Sequence, residues 1–93
     1  MQSTNEIISE RGEVYGDFSD GITVESHIID ILAANHLRQT GQPLQTRHLV
    51  WLSKIVMKMA RLSASPTHID SWADISGYAT LVSNHLNQEL QNA

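Results

Sequence analysis

Two carboxylates in the last quarter of the chain are the first candidates for chemistry. Asp70 and Asp74 lie four residues apart, so on a helix they share one face and can bind one hard cation such as Mg²⁺. Two other interpretations stay open. Asp70 can complete a helix cap that begins at Thr67, and Asp74 can be the charge partner of a cation on the preceding helix. The pair therefore predicts either a metal site or a helix start beside an ion pair.

A row of basic residues precedes this pair. It consists of Arg47, Lys54, Lys58 and Arg61, at spacings of seven, four and three residues. On a helix these four cations lie along one side and repel one another, so something negative should lie opposite them. The segment 31–69 has no acidic residue, whereas the segments on either side are net acidic. The pattern is compatible with neutralisation between segments and also with phosphate binding.

Tyr78 follows the paired carboxylates by about one helical turn. It can stack on a nucleobase or fill the space between helices, and Trp51 and Trp72 have the same two interpretations. Gly77 beside it costs a helix about 1 kcal/mol relative to alanine. This cost favours a close approach of a second helix or a ligand at that point.

Other kinds of site find no support in the sequence. The chain has no cysteine, which excludes disulfides, thiolate metal sites and a cysteine nucleophile. The five histidines lack the spacing of a zinc site. No phosphate-binding glycine loop and no nucleophile elbow occurs.

Helical periodicity dominates the chain and predicts an all-α fold, a small bundle of one short N-terminal helix and three longer ones. Ser3 and Thr4 can cap the first predicted helix, which runs through Ile7 and Ile8 to about Arg11. The others run from about Val24 to Gln39, from Leu44 to Ser63 and from His68 to Leu90. The glycines at positions 12, 16 and 21 predict a loop between the first two helices, and Gly41 is predicted to end the second helix. In the last helix, Ile69, Trp72, Ile75, Ala79, Val82, Leu86 and Leu90 form the apolar face.

The length of 93 residues fits a single domain, 1–93. An isolated chain of this size buries only about 60–65% of its unfolded surface, so we expect a homo-oligomer. The longest purely apolar runs are four residues, which predicts no membrane span, and the N-terminus lacks the pattern of a secretory signal. These features predict a cytoplasmic protein. The net charge of −4 argues against nucleic-acid binding.

Two stretches resemble a known family. The first is Glu10-Arg11-Gly12 followed by Tyr15-Gly16-Asp17-Phe18. The second is Lys58-Met59-Ala60-Arg61, a short loop, and then residues 70–79, which read DSWADISGYA. Together they resemble the small MazG-like proteins of bacteriophages and prophages, over residues 10–82.

The resemblance implies the all-α nucleoside triphosphate pyrophosphohydrolase fold, in dimers or tetramers. Active relatives cleave (d)NTPs to monophosphate and pyrophosphate with Mg²⁺ held by an ExxE pair and an ExxD pair on two helices. Asp70 and Asp74 resemble the later pair, at spacing four instead of three. Lys58 and Arg61 would face the phosphates. The resemblance leaves open whether Arg11, Tyr15 and Asp17 belong to the site or fix the N-terminal segment.

This chain departs from the family pattern in the first acidic pair. The second predicted helix offers Glu25, but the residues three and four positions later are Ile28 and Ile29. The ExxE half of the metal site is therefore missing.

Two functions of different classes follow. The first is Mg²⁺- or Mn²⁺-dependent hydrolysis of a nucleotide, with Asp70, Asp74 and Glu25 as metal ligands and water as the attacking group. Lys54, Lys58, Arg61 and Tyr78 would bind the substrate, and Lys58 and Arg61 would also act in catalysis. The second is a catalytically inactive protein on the same fold that binds a nucleotide or a host protein.

Overall fold

The computed structural model describes the backbone of residues 4–92 and the side chains of residues 20–92. It contains three helices: α1 spans Thr4–Thr40, α2 spans Thr46–Ala64 and α3 spans Ile69–Gln91. No strand occurs within the described residues, so the prediction of an all-α fold is confirmed.

The N-terminal half differs from the prediction. The sequence predicts a short helix, a glycine-containing loop and a second helix, whereas α1 runs through all three without a break. Glycine weakens a helix by about 1 kcal/mol per residue but keeps its backbone N–H, so it does not have to end one. Proline would, and both prolines of the chain lie after α1. The side chains of Arg11, Tyr15 and Asp17 lie outside the described residues.

Gly41 ends α1, as the sequence predicts. It has a φ of 71°, in the left-handed region that favours glycine. Its backbone N–H donates to the carbonyl oxygen of Leu37 at 2.8 Å, which satisfies one of the last free carbonyls of the helix. The next helix starts at Thr46, two residues later than predicted.

The turn between α2 and α3 uses a different cap from the predicted one. His68 is the N-cap residue, and its Nδ1 accepts from the backbone N–H of Ser71 at 3.3 Å and lies 2.7 Å from the Ser71 hydroxyl. The Trp72 indole N–H donates to the carbonyl of Pro66 at 2.9 Å and ties the turn to the helix. The expected Thr67–Asp70 cap is therefore replaced by His68 and Ser71, because α3 begins one residue later than predicted.

The three helices pack in chain order. α2 lies in the middle, with α1 against one side and α3 against another, and α1 does not pack on α3 anywhere in the described chain. Among the described side chains, the buried apolar residues are Val56, Ala60 and Leu62 of α2. The radius of gyration is 17.6 Å, against about 12 Å for a compact domain of this length. The helices thus form an open arrangement with a small core.

Candidate functional site

The interface between α2 and α3 holds most of the candidate residues. The two helices run antiparallel, and their side chains meet in pairs along the interface. Arg47 contacts Glu89 at 2.8 Å, and the rings of Trp51 and His85 lie 5.6 Å apart. Near the other end, Lys58 contacts Asp74 at 2.9 Å. These contacts fix the register that places Lys54 beside Tyr78.

Lys58 and Asp74 form an ion pair, as one interpretation of the sequence predicts. The distance joins Lys58 Nζ to Asp74 Oδ2. The lysine side chain is only 15% exposed, whereas the aspartate side chain is 48% exposed. The ammonium group is therefore held at the surface of α3 while the carboxylate remains open to solvent. A solvent-exposed carboxylate keeps oxygen lone pairs for a second partner.

Lys54 and Tyr78 line one cleft of about 220 Å³ at the same interface. Trp51, Leu81, Val82 and His85 complete its walls. The cleft combines one ammonium group with two aromatic side chains that offer stacking surfaces. The structure thus brings together two of the predicted substrate-binding residues, one helical turn from the Lys58–Asp74 pair.

The three predicted metal ligands lie in two separate parts of the structure. Asp70 and Asp74 are both exposed on α3, one turn apart. Glu25 lies in a separate cleft between α1 and α2, which Arg61 also lines. Because α1 and α3 do not pack on each other, Glu25 does not join the two aspartates. No group of three or more potential metal ligands occurs in the part of the chain with described side chains.

Arg61 is separated from the other candidate cations. It faces the cleft between α1 and α2, beside Asp20 and Glu25, whereas Lys54 and Lys58 face α3. Acidic residues lie opposite Arg47 and Lys58 of the basic row, as expected from their repulsion. The row is therefore partly neutralised by α3, and Lys54 lines an open cleft.

An aromatic and charged cluster at the end of this interface did not follow from the sequence. Trp51 is its centre, with His48 at 5.1 Å, His85 at 5.6 Å and the Arg47 guanidinium over the ring at 5.5 Å. Glu89 accepts from Arg47, and this hydrogen bond lowers the pKa of the glutamate below its usual value. The i,i+4 spacing of His85 and Glu89 was a sequence signal for the contact of their side chains at 3.1 Å, which is an ion pair when the imidazole is protonated.

A comparison with known protein families identifies the family to which this chain belongs. The family described as a domain of unknown function, DUF6378, matches residues 1–86. The chain belongs to this family. No curated protein and no solved structure matches the chain. The DUF6378 match covers both motifs of the sequence analysis and most of the three helices, and it assigns no activity. No helix in the described residues is long and apolar enough to span a membrane.

Proposed function

We propose that this DUF6378 protein is a MazG-like nucleoside triphosphate pyrophosphohydrolase with a reduced acidic site, which hydrolyses a (d)NTP to the monophosphate and pyrophosphate. The observation that carries the proposal is the meeting of Lys54, Tyr78 and the Lys58–Asp74 pair along one interface. Cations, an aromatic surface and carboxylates are the groups that a nucleotide site needs.

The roles follow from the positions of the side chains. Lys54 and Lys58 bind phosphate oxygens, and Lys58 exchanges Asp74 for a phosphate when the nucleotide enters. Tyr78 and Trp51 offer ring surfaces to the base in the cleft beside Lys54. Arg61 lines the cleft between α1 and α2, apart from Lys54 and Tyr78, so the proposal assigns it no direct contact with the base.

The two aspartates of α3 fit a divalent cation of modest affinity. Mg²⁺ in phosphoryl-transfer sites is commonly bound by one or two carboxylates together with substrate phosphates, and it keeps several waters. Asp70 and Asp74 are exposed and one turn apart, which suits this mode. A bound Mg²⁺ or Mn²⁺ would neutralise phosphate charge and activate water. Glu25 lies in the other cleft, so this proposal assigns the cation to the two aspartates alone.

The test is pyrophosphate release from the common NTPs and dNTPs with Mg²⁺ or Mn²⁺. We expect turnover to fall by at least about 100-fold in the double variant Asp70→Asn/Asp74→Asn, since both carboxylates are lost. Lys54→Met should raise KM more than it lowers kcat. The matched control is Asp30→Asn, which removes an exposed carboxylate from α1 and should leave turnover unchanged. Wild-type activity in the double variant would contradict the proposal.

A second candidate function is nucleotide or host-protein binding without catalysis. The observation that favours it is the separation of Glu25 from Asp70 and Asp74. If the protein only binds a nucleotide, the nucleotide should raise the melting temperature, because a ligand that binds the folded state stabilises it. No pyrophosphate should then be released. Lys54→Met should reduce that shift. If no nucleotide shifts the melting temperature, a host protein is the remaining partner.

A further inference from the structure

Two histidines contact Trp51, and they line different clefts of the α2–α3 interface. The ring of His48 lies 5.1 Å from the Trp51 ring, and the ring of His85 lies 5.6 Å from it. His48 lines an apolar groove of about 670 Å³. His85 lines the cleft of about 220 Å³ that Lys54 and Tyr78 also line. Of the two histidines, His85 therefore shares a cleft with a lysine.

The imidazole of His85 can gain a proton without losing its contact with α3. Its side chain is 50% exposed, so solvent and a ligand can reach it. Its Nε2 lies 3.1 Å from Glu89 Oε1. A nitrogen so close to a carboxylate oxygen carries a proton, which Nε2 can hold in the neutral and in the charged imidazole. The second proton then binds to Nδ1 and makes the ring a cation.

The carboxylate of Glu89 does not cancel this added charge. Arg47 donates to its two oxygens at 2.8 and 3.5 Å, so these two residues already neutralise each other. The hydrogen bond from Arg47 lowers the pKa of Glu89, and the carboxylate stays ionised throughout the pH range in which imidazoles titrate. A proton on Nδ1 of His85 therefore makes the group of three side chains net positive.

We propose that His85 is a proton-controlled cation of the Lys54 cleft, so that protonated His85 and Lys54 together bind a polyphosphate anion. Neutral His85 leaves Lys54 as the ammonium group of the cleft, and binding is then weaker. The identity of the anion rests on the proposed function, since a nucleotide is the polyphosphate expected there. The inference adds regulation to that site: the cleft binds its ligand more tightly as the pH falls.

The titratable and charged groups around His85 come from α2 and α3. They are Arg47, His48, Lys54, Tyr78 and Glu89. In the described chain α1 does not pack on α3 and adds none. Guanidinium, ammonium and phenol groups keep their charge state between about pH 5.5 and pH 8. The other imidazole, His48, titrates in this range but lines the apolar groove, so it provides the matched control.

The test is calorimetric binding of tripolyphosphate, a probe without a base, in the presence of Mg²⁺. We expect His85→Asn to weaken binding by at least about fivefold at about pH 5.5 and by less than about twofold at pH 8. His48→Asn should bind like the wild type at both pH values. The titration of the phosphate itself is common to all variants and cancels in these ratios.

A variant with a permanent charge completes the test. His85→Lys should bind tripolyphosphate at least about fivefold more tightly than the wild type at about pH 8, where the wild-type imidazole is neutral. Far-UV circular dichroism verifies that the variants keep their helices. Wild-type binding by His85→Asn at both pH values would overturn the inference, as would an equal effect of His48→Asn.

Nucleotide analogues separate this inference from the proposed function. The probes are the α,β-methylene analogues of ATP, CTP, GTP and UTP, which are not cleaved to the monophosphate. If an analogue binds but its affinity does not depend on His85, the inference fails and the nucleotide site remains. If tripolyphosphate binding depends on His85 but no analogue binds, the proposed function fails. If neither probe binds, both are overturned.

Discussion

The carboxylate of Glu89 contacts two basic side chains, Arg47 and His85. Arg47 donates to both of its carboxylate oxygens, at 2.8 and 3.5 Å, and His85 Nε2 lies 3.1 Å from Glu89 Oε1. The hydrogen bond from Arg47 is the main cause of the lowered Glu89 pKa. Arg47 also lies over the Trp51 ring, so the pair joins the aromatic cluster to the end of α3.

We predict that this pair makes stability depend on pH in the acid range. Because the pKa of Glu89 is lowered by folding, the contribution is present above the usual glutamate pKa of about 4.3 and is lost as the pH falls through the lower folded value. Glu89→Gln should therefore flatten the urea-unfolding stability between about pH 5 and pH 3. The measurement is the urea midpoint at several pH values.

Two controls accompany this pH series. Arg47→Gln removes the donor and should have the same flattening effect as Glu89→Gln. Lys54→Gln removes a cation from the same helix but leaves the pair intact, and should keep the wild-type pH dependence. A wild-type pH profile in Glu89→Gln would show that the pair does not stabilise the fold.

At the scale of elements, two glycines have opposite roles. Gly41 ends α1 in a left-handed conformation, with a φ of 71°. Gly77 lies inside α3, and apart from its two chain neighbours and the nearby helix backbone no described atom is within 4 Å of the position that its Cβ would occupy. The expected close approach of a helix at Gly77 is therefore not found within the described part of the chain.

We predict opposite stability effects for the two alanine substitutions. Gly41→Ala forces a Cβ into the left-handed region and should destabilise the fold by about 1 kcal/mol. Gly77→Ala enters open space in a helix and should stabilise it by about 0.5–1 kcal/mol. Thermal unfolding of the two variants measures the change in stability relative to the wild type. Each variant serves as the control for the other. Destabilisation by Gly77→Ala would mean that a partner occupies the space beside α3.

At the scale of the whole molecule, the helices form an extended arrangement of 60 × 27 × 23 Å. Within the described residues, each terminal helix packs only on α2, and the buried apolar side chains are limited to a few residues of that helix. A chain of 93 residues buries only about 60–65% of its unfolded surface when it folds alone. The homo-oligomer that the sequence predicts would add burial to the small core of the described side chains.

We predict that the melting temperature depends on protein concentration. Unfolding of a dimer to separate chains is opposed by mass action, so a tenfold increase in concentration should raise the melting temperature by about 2–5 °C. A melting temperature that is constant for the wild type would contradict the assembly.

The sequence by itself determined the helical class and most of the helix ends. Periodicity placed α2 and α3 within two residues of their observed starts, and Gly41 marked the end of α1 because few other residues adopt its φ. The charge pattern predicted carboxylates opposite the basic row, and Asp74 provides one of them. These features depend on local backbone preferences and on charge, which the residue order contains directly.

Only the tertiary structure decided which residues of different helices lie close to one another. It joined three predicted elements into a single α1, because glycine lowers helix stability without removing a hydrogen bond. It placed Glu25 apart from Asp70 and Asp74, and it left Ile69, Trp72 and Leu90 of the predicted apolar face of α3 exposed. Periodicity identifies the apolar face of each helix but not which helix, or which chain, covers it. That choice depends on the packing of all the helices together, so residue spacing alone does not contain it.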